Sequence, residues 1–229
     1  MSDDRDYESQ IRRGAVMGID HGKIVYHPQP SHLPLAGWIS KHFPEGYQGY
    51  AVDVGASDGV SVNSTLFLES NLKWTVIAVE PNPHFKPMLI RNRIFVETCA
   101  LGAERSEAMP LHVNLGNFEA YSSLNPQKNN PRAIREGATE WEEVLVRVRT
   151  LEDLLAQYEF PQLDALCIDT EGTESDVLKG LDLEKWKPRV VVVEAWTEGA
   201  CDSSLPGYKR VTRQGDNDCY VREPECESS

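Results

Sequence analysis

Short apolar runs alternate with stretches of helical spacing from residue 50 to about residue 194. The runs are continuous, which is typical of strands that are buried on both faces of a parallel sheet. They lie at 51–54, 74–79, 94–96, 163–168 and 190–193. The last is the clearest, with four consecutive valines. The pattern predicts buried strands that run parallel to one another.

The segments between these runs predict helices. One is expected after the first run, with Val62, Leu66 and Phe67 on one side, and others at about 84–92, 151–158 and 174–180. Thr150 and Asp153 form a capping-box pattern, which places the start of the third helix at Leu151. Strands that alternate with helices predict an α/β fold with a doubly wound, mostly parallel sheet.

The C-terminal part of the chain follows another pattern. The apolar segments Tyr208–Thr212 and Cys219–Arg222 flank the turn residues Gln214-Gly215-Asp216-Asn217. This arrangement predicts an antiparallel hairpin added to the sheet. A second, shorter hairpin is predicted at Val16–Tyr26, around Asp20-His21-Gly22.

The length of 229 residues favours one domain. We assign residues 50–222 to this domain, residues 1–49 to an N-terminal extension and candidate lid or substrate-recognition segment, and residues 223–229 to a disordered tail. Residues 114–143 also lack a regular pattern. Loops of such length in a compact domain are usually lids or binding loops.

Charge and composition restrict the partners and the compartment. The net charge is −13, and no basic face is evident, so we predict that the protein does not bind nucleic acid. The N-terminus has no apolar signal-peptide core, and no run approaches the ~18 apolar residues of a membrane helix. The five cysteines form no CxxC pair. These features predict a cytoplasmic protein with reduced thiols and no membrane partner.

A glycine motif connects the first predicted strand to the first predicted helix. It reads Asp53-Val-Gly-Ala-Ser-Asp-Gly59. Gly55 permits a tight turn and a close backbone approach, while Gly59 would let the helix start against the strand, with its amide end toward an anionic group. The alternative is an ordinary strand-to-helix turn.

Glu80 ends the second predicted strand, about 20 residues after Gly59. An acidic side chain at this place can accept hydrogen bonds from both hydroxyl groups of a ribose. A solvated loop residue is the alternative. Together with the glycine motif, Glu80 predicts a cofactor that contains adenosine.

Two features favour S-adenosylmethionine (SAM) over NAD as this cofactor. The glycine motif is DxGxxxG, which has fewer glycines than the dinucleotide motif GxGxxG, and SAM has no pyrophosphate to be held by bare amides. The C-terminal hairpin also points to class I methyltransferases. An NAD-dependent oxidoreductase on the same fold remains the alternative.

The sequence from about residue 50 to 196 resembles the FkbM-type SAM-dependent methyltransferases. Seven blocks carry the resemblance, in the family's order: AVDVGASDG, VIAVEPNP, CALG at 99–102, SSL at 122–124, VRTLEDLL, LDALCIDTEGTESDVLKG and PRVVVVEAW. The resemblance implies methyl transfer from SAM, commonly to a hydroxyl of a sugar, glycan, polyketide or related natural product.

The resemblance also implies roles for individual residues. Its cofactor-binding residues would be Asp53, Gly55, Ala56, Ser57 and Gly59 around the methionine end, Glu80 with Pro81 at the ribose, and Cys99 with Ala100 beside the adenine. Two positions depart from the family pattern, because members often have Asn in place of Ser57 and Lys in place of Cys167. Loss of that Lys would remove a cation beside the acidic cluster, which leaves open a non-catalytic SAM-binding protein.

Four carboxylates lie within the eight positions 169–176. Thr173 and Asp176 fit a capping box, and Glu174 in the first turn would complement the helix dipole. Asp169 and Glu171 precede this helix, at the carboxyl end of a strand, where ligands bind in open α/β sheets.

Asp169 and Glu171 are therefore the candidate catalytic residues. Either could accept the proton of an acceptor hydroxyl. As an alternative, both could hold a divalent cation such as Mg²⁺ together with Glu194, which ends the next strand. We predict the general base as the main role. The expected acceptor is a small molecule or a glycan.

Overall fold

The computed structural model describes residues 16–20, 23–27, 33–61, 63, 65–125 and 137–224. Its strands are β1 (Val16–Asp20), β2 (Lys23–His27), β3 (Tyr50–Val54), β4 (Thr75–Val79), β5 (Phe95–Glu97), β6 (Ala100–Leu101), β7 (Ser106–Asn114), β8 (Trp141–Arg149), β9 (Ala165–Ile168), β10 (Val190–Glu194), β11 (Tyr208–Gln214) and β12 (Asn217–Arg222). Its α-helices are α1 (Leu33–Ser40), α2 (Leu66–Ser70), α3 (Lys86–Asn92), α4 (Leu151–Gln157), α5 (Glu174–Lys179) and α6 (Leu183–Trp186).

A seven-stranded sheet forms the centre of the molecule, with the order β11-β12-β10-β9-β3-β4-β5. Strands β3, β4, β5, β9 and β10 are parallel, whereas β12 is antiparallel to β10 and β11 to β12. The predicted doubly wound, mostly parallel sheet with a C-terminal antiparallel hairpin is confirmed. From β3 the successive strands β4 and β5 extend to one side of the sheet, whereas β9 and β10 lie on the other side. The boundary between β3 and β9 is therefore the topological switch point, where ligands bind in this class of fold.

Both faces of the sheet are buried, which explains the continuous apolar runs. On one face, Val52, Leu166 and Val191 pack with Leu154 of α4 and Val177 of α5. On the other face, a second cluster includes residues of the same strands and of α1: Ala51, Val76, Ala165, Val192, Leu35, Ala36 and Ile39. Helix α1, from the predicted N-terminal extension, is thus part of the core. The predicted lid role of residues 1–49 stays a prediction.

A separate three-stranded sheet, with the order β6-β8-β7, was not predicted. Strands β7 and β8 are antiparallel, and their inner face packs in a small cluster with Leu111, Val113, Val146 and Val148. The segment 114–143, predicted to be irregular, connects them, but Asn114 belongs to β7 and residues 141–143 belong to β8. Its first part forms a 3₁₀ helix at Gly116–Tyr121, and residues 126–136 lie outside the described residues.

Two predicted hairpins and one predicted cap are confirmed. Strand β1 pairs with β2, β11 pairs with β12, and Thr150 with Asp153 forms a capping box at α4. Val62 and the predicted tail residues 225–229 lie outside the described part. Among the residues that the structure describes, no helix is long and apolar enough to cross a membrane.

Candidate functional site

A cavity of about 610 Å³ opens at the carboxyl ends of the central strands, where β3 and β9 lie side by side. Its walls come from both halves of the sheet, one with β3, β4 and β5 and the other with β9 and β10, and from the smaller sheet. Eight of the predicted site residues line it: Gly55, Ser57, Glu80, Pro81, Cys99, Ala100, Asp169 and Glu171. The other three, Asp53, Ala56 and Gly59, are not part of its lining.

Glu80 lies at one end of the cavity with its carboxylate held in place. The side chain is buried, and its two oxygens accept hydrogen bonds from the backbone N–H groups of Ser57 (2.9 Å) and Asn82 (2.8 Å). Burial raises the pKa of Glu80 to about 7, and the two backbone hydrogen bonds oppose this effect. Each carboxylate oxygen still has acceptor capacity, so the group can bind two hydroxyls.

An apolar wall adjoins Glu80. It is formed by Pro81, Phe85, Met88, Cys99, Ala100 and Leu101. Burial raises the pKa of Cys99 to about 11, so its thiol is neutral at physiological pH. The wall can therefore pack against a flat, uncharged ring.

Gly55 is required by the contact between the two halves of the sheet. Its φ is +85°, and an added Cβ atom would lie 1.6 Å from the carbonyl oxygen of Asp169. The predicted close backbone approach therefore exists, and it is made by another loop of the protein. The N–H groups of Gly55 and Ala56 both donate to Val79 O, at 2.9 and 3.0 Å.

Gly59 does not start a helix, so this part of the prediction is wrong. Helix α2 begins only at Leu66. Gly59 has a φ of +81°, and a Cβ atom there would lie 2.7 Å from Cγ of Arg93. The absence of a side chain lets the glycine loop pack on Arg93.

Asp53 is turned away from the cavity into a buried polar network. Its Oδ2 accepts hydrogen bonds from Asn63 Nδ2 (2.6 Å), Thr65 Oγ1 (2.7 Å) and Arg93 Nη1 (3.1 Å). The fully buried Arg93 also donates to Glu69 Oε2 at 2.6 Å. This network fixes the end of β3, directly before the glycine loop, on the side away from the cavity. Arg93 was not predicted, because no motif distinguishes it.

Cys167 also lies away from the acidic end of the cavity. It is the register neighbour of Asp53 and packs in the core with Ala51, Val192 and Cys219. Burial raises the pKa of Cys167 well above its usual value, so the thiol is neutral. The expectation that this cysteine removes a cation from the acidic cluster stays a prediction. The cation beside Asp53 is Arg93.

Three carboxylates meet at the other end of the cavity. One oxygen each of Asp169, Glu171 and Glu194 lies within 4.8 Å of the others. Burial and then the charges of the two neighbouring acids raise the pKa of Glu194. Its Oε2 is buried and has no hydrogen-bond partner among the residues that the structure describes. The predicted grouping of these three residues is observed, and it can accept a proton or hold a cation.

The loop that carries Asp169 and Glu171 is fixed by Glu174. The Glu174 carboxylate accepts hydrogen bonds from the N–H groups of Thr170 (3.2 Å) and Gly172 (2.7 Å), while Glu171 between them has a φ of 56°. The predicted capping box at α5 is wrong. Thr173 makes no cap hydrogen bond, and Asp176 pairs with Lys179 at 2.7 Å.

Residues 116–124, which we call the cover segment, span the cavity from one end to the other. Near Glu80, Asn82 Nδ2 donates to Glu119 O at 3.4 Å. At the acidic end, Ser123 Oγ donates to Glu171 O at 3.0 Å. The SSL block at 122–124 thus connects the cover segment to the loop of the candidate catalytic residues.

Negative charge dominates the cavity. Six acidic residues line it: Asp58, Glu80, Glu119, Asp169, Glu171 and Glu194. Among the described residues of the lining there is no Lys, Arg or His. The cavity therefore favours a ligand with positive charge and disfavours an anion.

Comparisons with known proteins agree with these features. The family model described as "Methyltransferase FkbM domain" matches residues 53–200. "Methyltransferase sdnD" of Sordaria araneosa is 29% identical in an alignment of 177 positions, and the match covers 64% of this chain and 66% of that protein. "Methyltransferase 1" of Beauveria bassiana (strain ARSEF 2860) is 31% identical in an alignment of 161 positions, and the match covers 63% of this chain and 62% of that protein. The chain thus spans less than two thirds of the length of these relatives in each match.

Two solved structures are similar to part or most of the chain. The methyltransferase FkbM from Methylobacillus flagellatus KT has a TM-score of 0.46 at 19% identity, over 76% of this chain and 43% of that chain. The precorrin-6y C5,15-methyltransferase from Geobacter metallireducens GS-15 has a TM-score of 0.38 at 11% identity, over 90% of this chain and 91% of that chain.

Proposed function

The chain belongs to the FkbM methyltransferase family, and we propose that it transfers a methyl group from SAM to a hydroxyl of a sugar, glycan or related natural product. The observation that carries this proposal is the single cavity, which joins the oriented carboxylate of Glu80 to the cluster of Asp169, Glu171 and Glu194.

The charge of the cavity supports SAM as the cofactor. SAM carries a positive sulfonium and a positive ammonium group, against one carboxylate. NAD carries a pyrophosphate with two negative charges, which would enter a lining that has acidic side chains and, among its described residues, no cation. Like charges at short distance cost several kcal/mol in a partly buried site, on the order of the estimate for an effective dielectric constant of about 20. The alternative of an NAD-dependent oxidoreductase is therefore disfavoured.

We assign SAM the following position. Glu80 accepts hydrogen bonds from the ribose hydroxyls, and the apolar wall with Cys99 and Ala100 packs on the adenine. Gly55 and Ser57 border the methionine end. Asp53, Ala56 and Gly59 contribute indirectly, because they fix the shape of the glycine loop without lining the cavity.

Methyl transfer to a hydroxyl is an in-line displacement. The hydroxyl oxygen forms the bond to the methyl carbon, the carbon–sulfur bond breaks, and its electron pair goes to sulfur, which leaves S-adenosylhomocysteine (SAH). The acceptor proton passes to a carboxylate of Asp169 or Glu171. Positioning of the two reactants contributes much of the rate, because the bound geometry replaces a bimolecular encounter.

A divalent cation is an alternative role for the same three acids. Carboxylate oxygens suit Mg²⁺ or Ca²⁺, and the unpartnered, buried Oε2 of Glu194 favours a ligand at this place. Such an ion would lower the pKa of the acceptor hydroxyl. Activity that survives EDTA would leave the carboxylates as the base, whereas loss of activity that Mg²⁺ restores would support the cation.

The first experiment is thermal unfolding of the protein with SAM, SAH, NAD or NADP, each with and without Mg²⁺. A ligand at ~100 times its dissociation constant adds about 2.7 kcal/mol of stability. We expect SAM and SAH to raise the midpoint and the nicotinamide cofactors to leave it unchanged. A shift with NAD or NADP alone would contradict the proposal.

Two variants separate cofactor binding from general effects on the fold. Glu80→Gln should lose most of the shift with SAM, because one carboxylate oxygen becomes an amide. Glu104→Gln, in an exposed loop, is the matched control and should respond as the parent does.

Asp169→Asn and Glu171→Gln should still bind SAM, and at least one of them should lose transfer of labelled methyl. A parent protein that binds SAM but methylates no acceptor would favour the non-catalytic alternative.

A further inference from the structure

Trp196 lies beside the acidic end of the cavity, in the loop that follows β10. Its side chain is 40% exposed, and its Nε1–H donates to Glu171 Oε2 over 3.4 Å. The edge of the indole therefore faces a candidate catalytic carboxylate, while part of the ring remains open to solvent.

The backbone on either side of Trp196 is held by the C-terminal hairpin. Ala195 N–H donates to Asp216 O at 2.8 Å, and the Arg213 guanidinium donates to Ala195 O at 2.7 Å. Arg213 also pairs with the fully buried Asp218, whose other oxygen accepts from Gly199 N–H at 2.7 Å. The loop is thus fixed at several points, which gives the indole a defined position.

The charge of the cavity lining next to Trp196 selects against anions, because the neighbouring Arg213 is paired with the buried Asp218. Asp169, Glu171 and Glu194 lie at this end of the cavity, and no cation is found in the lining where the structure describes it. A carboxylate or phosphate on the acceptor would add like charge to this cluster. Hydroxyl groups, by contrast, donate hydrogen bonds to carboxylates without adding charge.

We propose that Trp196 and the three carboxylates form an acceptor subsite that binds an uncharged, hydroxylated ring and rejects anionic acceptors. The apolar face of the ring packs on the exposed indole, and its hydroxyls donate to the carboxylates, so that one hydroxyl is directed to the methyl group. The indole N–H also orients Glu171. This inference rests on the proposed function, because it assigns the acceptor of the same reaction.

The test is equilibrium binding of matched sugars to the protein saturated with SAH, measured by saturation-transfer NMR. The neutral probes are the methyl glycosides of glucose, galactose, mannose and rhamnose. The anionic probes are glucuronic acid, galacturonic acid and glucose 6-phosphate. We expect at least one neutral probe to bind and its anionic counterparts to bind more weakly by on the order of 100-fold, the factor for one like charge at about 6 Å and an effective dielectric constant of about 20.

Variants of Trp196 distinguish the ring from its N–H group. Trp196→Ala should weaken binding of the neutral probe about tenfold, because the apolar platform is lost. Trp196→Phe should retain binding within about threefold. It should also lower the rate of labelled methyl transfer at saturating acceptor, because Glu171 loses its indole donor. Trp141→Ala is the control, since Trp141 is 54% exposed on β8 and its ring stacks on His112, whereas Trp196 bonds to Glu171.

Three results would overturn the subsite. They are binding of the anionic probes as tight as that of the neutral ones, binding of no neutral probe, or equal effects of Trp196→Ala and Trp141→Ala. The midpoint of thermal unfolding with SAH separates these failures from failure of the proposed function. If SAH shifts the midpoint in the parent and in Trp196→Ala, only the subsite is wrong. If neither SAH nor SAM shifts the midpoint of the parent, both the subsite and the proposed function are refuted.

Discussion

Glu80 is a buried carboxyl group whose oxygens are both oriented by backbone N–H groups. Burial raises its pKa from 4.5 to about 7, so the group titrates near physiological pH. In the ligand-free protein the raised pKa stabilises the fold below about pH 4.5, and this contribution is lost as the pH rises through about 7. Under the proposed function, ribose hydroxyls would donate to the ionised form, so the cofactor should favour loss of the proton.

We therefore expect the affinity for SAH to rise between pH 6 and 8 and to level off above the pKa. Below it, affinity should fall by up to about tenfold per pH unit. Isothermal titration calorimetry across this range measures the step. SAH suits this test because it lacks the sulfonium charge that would couple directly to the acidic cluster. Glu80→Gln should bind weakly with no step near pH 7, and a parent profile that matches the variant's would contradict this role of Glu80.

Arg93 acts between elements. It follows α3 and binds Asp53 of β3 and Glu69 of α2, with its side chain completely buried. Two carboxylates and one guanidinium are thus removed from water together. Loss of one partner from such a group leaves buried charge without compensation, which is costly.

Arg93→Met should lower the free energy of unfolding by about 3–5 kcal/mol, the range for a broken buried ion pair. Urea denaturation followed by tryptophan fluorescence measures the change. Arg105→Met is the control, because Arg105 pairs with Asp153 at the surface with 75% of its side chain exposed, and it should change stability little. Equal effects of the two substitutions would argue against a structural role of the buried network.

The elements themselves were predictable to different degrees. The runs that became β3, β4, β9 and β10 were recognised because burial on both faces leaves few polar residues in them. The three-stranded sheet was missed, because β7 and β8 carry exposed charged residues and pair across a long irregular segment. The helix expected at Gly59 was wrong, since the positive φ of that glycine serves packing against Arg93.

For the molecule as a whole, the two halves of the sheet meet at Gly55. The half with β3, β4 and β5 carries Glu80, and the half with β9 and β10 carries the three carboxylates. The loop of the first half approaches the Asp169 carbonyl so closely that only hydrogen fits at the Cα of Gly55. The relative position of the two ends of the cavity therefore depends on this contact.

Gly55→Ala should destabilise the fold by roughly 3 kcal/mol or more and remove the thermal shift with SAM, because the two loops must separate. Gly46→Ala is a matched control. Gly46 also has a positive φ, +74°, but no atom lies near its added Cβ. It should cost only about 1–2 kcal/mol of backbone strain. If both substitutions cost the same, the contact with Asp169 does not matter.

The candidate site was predictable where a local motif or a strand end carried the signal. Glu80, Asp169 and Glu171 follow from their places at the ends of strands, as does Glu194. The orientation of Asp53 was not predictable, because the sequence of a strand does not show which residues pack against each of its faces. The contacts of Trp196, Ser123 and Arg93 were not predictable, since they join residues far apart in the sequence. Ser123 and Trp196 lie in two of the blocks that carry the resemblance, but these blocks do not indicate the partners of the two side chains.

The single sign of charge in the cavity bears on product release. Methyl transfer would turn the positive sulfonium of the proposed cofactor into a neutral thioether beside Asp169, Glu171 and Glu194. The reaction itself thus removes the attraction that held the cofactor at this end. If SAM is the cofactor, as proposed, the spent form would be held less tightly than the loaded form on electrostatic grounds, so that fresh SAM would displace it and inhibition by the product would be weak.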